Sequence, residues 1–287
     1  MKIGVVFPQT EIGSDPAGVR EYAQAVEDLG FTHIVAYDHV LGASPAGRDF
    51  PMAYTDASMF HEVMTLFAYL AGLTRRIELV TGVVILPQRQ TALVAKQAAE
   101  IDVLSGGRFR LGVGLGWNPV EYEALNENFH NRGRRIAEQV RVLRLLWTQP
   151  LVEFHGTWHH IDRAGLNPLP VQRPIPIWFG GMAEPALKRL ARIADGWMPN
   201  RKPPEGWAPI VARVREYVRE AGRDVAAFGI EARLNTANAT PEQWRAEAEE
   251  WRALGATHLD INTMGAGLSG PTAHIERLRA VKEALGC

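Results

Sequence analysis

The sequence contains only one cysteine, Cys287, which is its last residue. A single thiol excludes a disulfide framework and a thiolate metal site. A cysteine at the end of the chain is also no candidate for a catalytic nucleophile, and the Gly-x-Ser-x-Gly elbow of serine hydrolases does not occur. The sequence therefore offers none of the usual signals for covalent catalysis by cysteine or serine.

An excess of one charge and long apolar runs are missing too. The 31 Lys and Arg residues are balanced by 32 Asp and Glu residues, which gives a net charge of -1. The one dense basic run, Arg132 to Arg135, is interpreted as a solvated or ion-paired start of a helix, and no other feature indicates a polyanionic partner. No run of ~20 apolar residues and no signal-peptide pattern occurs. We therefore expect a soluble cytoplasmic protein that binds neither nucleic acid nor a membrane.

The stretch from Ile77 to Trp117 shows the organisation of the chain most clearly. A β-branched apolar run up to Ile85 predicts a buried strand. A helical pattern follows, and Gly106 provides the left-handed position that ends it. The apolar face predicted for this helix consists of Leu93, Val94, Ala98, Ile101 and Leu104. A second buried strand comes next, at Phe109 to Val113, and two buried strands joined by a helix favour parallel pairing.

The same alternation recurs along all 287 residues. Eight apolar segments are predicted as strands, at 3–7, 33–37, 77–85, 109–113, 175–179, 196–198, 228–231 and 258–262. Helical patterns separate them, so we predict one domain, 1–287, of the α/β class that forms a (β/α)8 TIM barrel. A doubly wound open sheet is the rival arrangement. Segment 148–175 is a long insertion before strand five, interpreted as an irregular or hairpin excursion, a lid or an interface.

The longest predicted loops follow strands, at 38–59 and 114–131. Such loops lie at the C-terminal face of a barrel, where active sites are built. Asp38 and His39 directly follow strand two. The imidazole could act as a general acid or base near neutral pH, and the carboxylate could bind a polar edge of a cofactor. The alternative is that this pair caps a helix or bonds to the backbone.

Glycines also cluster at strand ends. Gly82, between Thr81 and Val83, would let a ligand ring approach the backbone, although a plain strand-end bulge explains it as well. The segment with Gly114, Gly116 and Trp117 fails the dinucleotide fingerprint G-x-G-x-x-G and is interpreted as a close-approach loop. Gly180 and Gly181 precede a helix whose first N–H groups suit a phosphate, with a tight turn as the alternative.

Three histidines in the insertion, His155, His159 and His160, invite a zinc interpretation. The His-x3-His spacing fits a helix, but Gly156 and Trp158 disfavour one, and no further ligand is evident. We therefore predict no metal site.

Three segments together resemble the bacterial luciferase-like monooxygenase superfamily, and within it the branch that uses the deazaflavin coenzyme F420. They are AYDHV, LVTGVVILPQRQTALVAKQAAEIDVLSGGRFRLGVGLGW, and PIPIWFGG with ARIADGWMP. The resemblance extends from Met1 to about Asn200 and weakens beyond. It implies a (β/α)8 barrel that holds an isoalloxazine-type ring at its C-terminal face, and a homodimer.

The resemblance also implies roles for individual residues. Asp38 and His39 would lie beside the ring, with His39 as the proton-transfer residue. Thr81-Gly82-Val83 would press on the opposite face, with a cis peptide at Gly82–Val83. The cofactor-binding set is completed by Gly114, Gly116, Trp117, Gly180, Gly181 and Met182, the last three at the phosphate.

One departure from the branch concerns Trp117. The sugar-phosphate dehydrogenases of the branch carry a glutamate there, so their acid has no direct counterpart, and Glu121, one turn further on, is a weak substitute. The expected activity is hydride transfer between F420 and a small organic substrate. The alternatives are an FMN-dependent monooxygenase with a reductase partner and a non-catalytic flavin-binding barrel. No motif in the long loops identifies the substrate.

Overall fold

A computed structural model describes residues 1–50 and 52–286. The interpretation of Cys287 lies outside the described residues. The strands are β1 (Lys2–Val6), β2 (His33–Ala36), β3 (Glu78–Thr81), β4 (Val84–Ile85), β5 (Phe109–Gly114), β6 (Val152–His155), β7 (His160–Ala164), β8 (Ile177–Gly180), β9 (Gly196–Met198), β10 (Gly229–Asn235) and β11 (His258–Asn262). The helices are α1 (Pro16–Asp28), α2 (Val63–Leu73), α3 (Thr91–Ser105), α4 (Pro119–Ala124), α5 (Arg132–Thr148), α6 (Glu184–Ile193), α7 (Trp207–Glu220), α8 (Pro241–Ala253) and α9 (Gly270–Leu285).

The main sheet is parallel and closes on itself. Its order is β3-β2-β1-β11-β10-β9-β8-β5-β4, and β3 also pairs with β5. The strand predicted at 77–85 is divided into β3 and β4 at Gly82–Val83, where the peptide bond is cis, so eight strand positions surround the barrel. The closed ring confirms the (β/α)8 prediction and excludes the open doubly wound sheet.

Residues next to the helix ends cap the helices. The Asp15 side chain accepts a hydrogen bond from the backbone N–H of Ala17 at 2.9 Å. Thr240 and Gln243 form a reciprocal capping box at the start of α8, and Gly106 ends α3 in the left-handed conformation at φ 71°. These contacts satisfy donors and acceptors that a helix leaves free at its ends. In the part of the chain that the structure describes, no helix has both the length and the apolar character needed to cross a bilayer.

The predicted apolar face of α3 is wrong at two positions. Leu93 and Leu104 are each 53% exposed. The buried side is instead made of Val94, Ala95, Ala98, Ala99 and Ile101. Because α3 packs against both α2 and α5, its inner side is centred on short alanines that let it approach its neighbours closely, and the two leucines turn outward.

The insertion forms an antiparallel hairpin, β6–β7, in which His155 is paired with His160. The Nδ1 atoms of these two histidines are 2.9 Å apart. His159 points elsewhere, because its Nδ1 lies 2.8 Å from Oε1 of Glu138 on α5. The hairpin interpretation is confirmed, and the three imidazoles do not converge on one point.

Charged residues occupy the barrel interior. Arg110 pairs with Glu231 and with Glu78, the latter at 3.0 Å. His33 Nε2 lies 2.8 Å from Asp260 and 3.2 Å from Glu231. Burial lowers the pKa of His33, but its hydrogen bonds to the two carboxylates outweigh that effect and raise the pKa to about 9.

His33, Glu231 and Asp260 have the spacing of a metal site, but His33 Nε2 is already engaged by both carboxylates. Arg233 adds a further positive charge, 3.7 Å from Asp260. The charges of this cluster are therefore balanced by its own members, and we interpret it as a structural ion network.

Candidate active site at the mouth of the barrel

A cavity of about 330 Å³ opens where the barrel strands end, within the size range of small-molecule sites. Eight of the predicted cofactor-binding residues line it: Gly82, Val83, Gly114, Gly116, Trp117, Gly180, Gly181 and Met182. A groove of about 460 Å³ between α1 and α2 is larger, but it contains none of the predicted site residues. The strand-end residues therefore meet at one place, as the sequence pattern predicts.

The backbone at two of the glycines lies so close to Val83 that a side chain there would crowd it. A Cβ added at Gly114 would lie 2.5 Å from Cγ2 of Val83, and one at Gly180 would lie 3.2 Å from its Cγ1. Gly116 has a φ of 66° and passes so close to Ile85 that a Cβ would approach its Cγ2 to 2.8 Å. The cis turn, the end of β5 and the end of β8 thus pack tightly, with Val83 as an apolar surface on the cavity wall.

The other end of the cavity suits an anion. Gly181 adopts a φ of 133° just before α6, and the N-cap residue of α6, Ala183, makes no side-chain hydrogen bond. Arg132 lines the same cavity. Free N–H groups at a helix start together with a guanidinium are the usual receptor for a phosphate.

Arg132 corrects the interpretation of the basic run. The run was predicted to be a solvated or ion-paired helix start, and Arg135 does pair with Glu127. The Arg132 guanidinium instead stacks 3.5 Å from the ring centre of Phe129 and reaches the cavity. Nothing in the local sequence distinguishes an arginine that turns inward from its neighbours in the run.

Two predicted contact residues, Asp38 and Thr81, lie behind the lining. Asp38 accepts hydrogen bonds from Arg89 at 2.7 Å and from the backbone N–H of Ile85 at 3.2 Å. Burial raises the pKa of Asp38 more than Arg89 lowers it. The Thr81 hydroxyl donates to the Gly112 carbonyl at 2.7 Å. The structure thus gives both residues a supporting position in place of the expected direct contact: they hold the backbone on either side of the cis turn.

His39 lies one ring away from the cavity. Its imidazole contacts Trp117, which lines the cavity, with ring centres 5.7 Å apart. Tyr54 and Phe60 enclose it further, at 5.4 Å and 4.8 Å. The aromatic rings keep bulk water from much of the imidazole, and its role in proton transfer stays a prediction.

Glu121 holds the loop that carries His39. Its buried carboxylate accepts hydrogen bonds from the backbone N–H groups of Val40 at 2.6 Å and Leu41 at 3.1 Å. Its other oxygen lies 3.4 Å from Nδ1 of His39. Burial raises the pKa of Glu121, but these hydrogen bonds outweigh that effect, and the pKa is lowered.

Because the ionised Glu121 carboxylate can only accept a hydrogen bond, its contact with His39 suits the tautomer that has its proton on Nδ1. The sequence offered Glu121 only as a weak substitute for a missing acid. Its position is that of a residue that orients the imidazole, as carboxylates often do.

Arg233 brings positive charge to the cavity, which it lines. Its guanidinium lies 4.9 Å from the ring centre of Tyr37, and Nε is buried without a hydrogen-bond partner among the described residues. Burial lowers the pKa of Arg233, but Tyr37 and Asp260 outweigh that effect and raise it. Arg233 therefore connects the ion network of the barrel interior to the cavity, a link that sequence patterns did not reveal.

Comparison with known proteins identifies relatives along nearly the whole chain. The sequence model of the luciferase-like monooxygenase family matches residues 1–284. An uncharacterized protein of Mycobacterium tuberculosis is 38% identical over 209 residues, which are 70% of this chain and 71% of the relative. The FMNH2-dependent dimethylsulfone monooxygenase of Pseudomonas putida is 32% identical over 235 residues, 80% of this chain and 61% of that enzyme.

Solved structures show the same architecture. The coenzyme F420-dependent tetrahydromethanopterin reductase of Methanopyrus kandleri superposes with a TM-score of 0.74 at 17% identity, over 96% of each chain. At that identity, the likeness shows the shared fold alone.

Proposed function

The chain belongs to the luciferase-like monooxygenase family, and on that premise we propose that it is an F420-dependent oxidoreductase. It would transfer a hydride between the deazaflavin and a small organic substrate. The observation that supports this best is the convergence of three separate glycine segments, at Gly82, Gly114 and Gly180, on one cavity beside His39.

The cavity fits such a cofactor at both ends. Val83, Leu115 and Met198 offer apolar surface for a flat ring. Gly181, Ala183 and Arg132 offer backbone N–H groups and a guanidinium for a phosphate. When bound, the cofactor would supply the hydride chemistry, and the protein would supply position and charge.

The residues around the ring site have separate tasks in this proposal. His39 would exchange the proton that accompanies hydride transfer, through Nε2. Glu121 would keep Nδ1 protonated and would stabilise the imidazolium. Trp117 would close the space between His39 and the cavity and limit access of water.

FMN is the second candidate cofactor, because the Pseudomonas relative is FMNH2-dependent. An FMN enzyme of this kind would need a reductase partner, whereas an F420 enzyme would turn over alone. A non-catalytic flavin-binding barrel is the third possibility, and it would bind a cofactor without any redox turnover.

A titration of the purified protein with each cofactor, followed by fluorescence, tests the proposal. We expect F420 to bind at least about tenfold more tightly than FMN, a difference of ~1.4 kcal/mol. Bound oxidised F420 should then be reduced by one or more small alcohols of a substrate panel, or bound reduced F420 should be oxidised by one or more aldehydes or enones of that panel. Tighter binding of FMN would favour the monooxygenase. Cofactor binding without turnover across the panel would favour the non-catalytic barrel.

We further propose a homodimer that uses the outward surface of α2 and α3. Of these neighbouring helices, α3 exposes Leu93 and Leu104, and exposed apolar side chains on one helix surface commonly mark an interface. Leu93→Glu should convert a dimer into a monomer, as measured by light scattering. Leu151→Glu, at a leucine that is 52% exposed outside these helices, is the matched control and should leave the mass unchanged. A monomeric wild-type protein would refute the proposal.

A further inference from the structure

A second groove, of about 490 Å³, runs between α5 and α6 on the outside of the barrel. It is lined by Ala137, Glu184, Pro185, Lys188, Arg189, Arg192 and Ile193. Three of these side chains are cationic and one is acidic, so the groove has an excess of positive charge.

The acidic residue does not neutralise the arginines. Glu184 is engaged by Lys188 at 3.4 Å, by Arg213 at 3.8 Å and by the hydroxyl of Tyr217. Within residues 1–50 and 52–286, no carboxylate forms an ion pair with Arg189 or with Arg192. Burial and the nearby charge of Arg192 both lower the pKa of Arg189. Two guanidinium groups thus lie close enough to affect each other and have no carboxylate partner among the described residues.

The groove adjoins the anion-binding end of the cavity. Ala183 and Ala186 of the α6 region line the cavity, while Pro185 and Arg189 line the groove. Nη2 of Arg189 lies 3.1 Å from the position that a Cβ would take on Gly133. Gly133 directly follows Arg132, which lines the cavity. A molecule whose phosphate lies at Arg132 and Gly181 would therefore reach Arg189 if it continued beyond that phosphate.

The two candidate cofactors differ at that point. FMN ends in its phosphate, whereas F420 continues through a phosphodiester into a lactyl group and a chain of glutamates, each with a carboxylate. We infer that Arg189 and Arg192 bind the oligoglutamate tail of F420. This inference rests on the proposed function, and it explains why two arginines without a carboxylate partner in the described part of the chain border the phosphate end: they serve a ligand that extends past it.

The test compares three ligands on the intact protein: F420 with several glutamates, FMN, and the deazaflavin ring with its ribityl chain but no phosphate. Fluorescence titrations are made on the wild type and on an Arg189→Gln/Arg192→Gln variant. Arg252→Gln, an exposed arginine on α8 that lines neither the cavity nor the groove, is the matched control.

We expect the double variant to bind F420 about five- to tenfold more weakly, since partly exposed charge pairs contribute little each. Its affinity for FMN and for the ring compound should stay unchanged, which also shows that the variant is folded. The wild-type affinity for F420 should fall with salt, and the variant's should fall less.

An unchanged affinity of the double variant for F420 would overturn the tail site and leave the proposed function standing. Equal losses for F420 and FMN would assign the arginines to the phosphate and would also overturn it. If the wild type binds FMN and no F420, the proposed cofactor fails, and the tail site fails with it.

Discussion

His39→Ala should lower turnover by ~10²–10⁴-fold, the range expected when a positioned general acid or base is removed. The dissociation constant of the cofactor should stay within about twofold, because His39 borders the cavity through Trp117 and is not part of its lining. The measurement is the steady-state rate of F420 reduction, or of oxidation of reduced F420, with whichever member of the substrate panel the wild type uses, together with the fluorescence titration.

His39→Asn is the matched variant. Asparagine can still donate a hydrogen bond toward Glu121, but it cannot exchange a proton near neutral pH. If His39 moves a proton, the asparagine variant should be as inactive as the alanine variant. Activity close to wild type in His39→Asn would show that the imidazole only fills space and holds the loop, and would remove it from the mechanism.

The positions of the strand ends were predictable, because apolar runs and the residues that end them are local signals in the sequence. The apolar runs, the cap at Asp15 and the capping box at Thr240 depend on residues within a few positions of one another. Once eight strands are assigned, the closed barrel places Gly82, Gly114 and Gly180 at the same rim, and the cavity confirms that placement.

Long-range partners were not predictable in this way. The carboxylate that orients His39 comes from Glu121, and the cation that faces Asp38 comes from Arg89, each on a different element. Arg132 and Arg233 reach the cavity because their long side chains extend toward it. The spacing of residues along the chain does not determine the direction that such a side chain takes. Leu93 and Leu104 fit the helical period but are exposed, since α2 and α5 cover a smaller part of the α3 surface than the apolar pattern predicts.

The ion network in the barrel interior was also missed, although its strands were assigned correctly. Side chains alternate along a strand, so the inward positions of β2, β5, β10 and β11 place His33, Arg110, Glu231 and Asp260 in one space. Inward-facing charges are costly unless they are paired, and the pairing partners come from four different strands. The network therefore forms only when the barrel closes. The loss of one member leaves a buried charge without its partner.

Arg110→Met should lower the free energy of unfolding by about 3–5 kcal/mol, the cost of leaving a buried partner without its counter-ion. Methionine keeps much of the side-chain length, and its sulfur can lie against Trp178, which the Arg110 guanidinium now covers at 4.2 Å. Glu231 is 1% exposed and would keep its ion pair with His33 and the more distant charge of Arg233. Burial raises the pKa of Glu231, but Arg110 and His33 outweigh that effect and lower it, so the loss of Arg110 removes the largest of the effects that stabilise the charged carboxylate.

Urea unfolding at pH 7, which is below the raised pKa of His33 in the wild type, measures the difference. Arg76→Met is the matched control, because Arg76 pairs with Asp28 at 4.0 Å on the surface, with both side chains more than two-thirds exposed. Its effect should stay within about 0.5 kcal/mol. A second variant, Arg110→Met/Glu231→Gln, removes the stranded charge and should recover part of the loss. If Arg110→Met costs no more than Arg76→Met, the interior charges contribute no more than a surface pair, and the barrel is held together by its apolar layers alone.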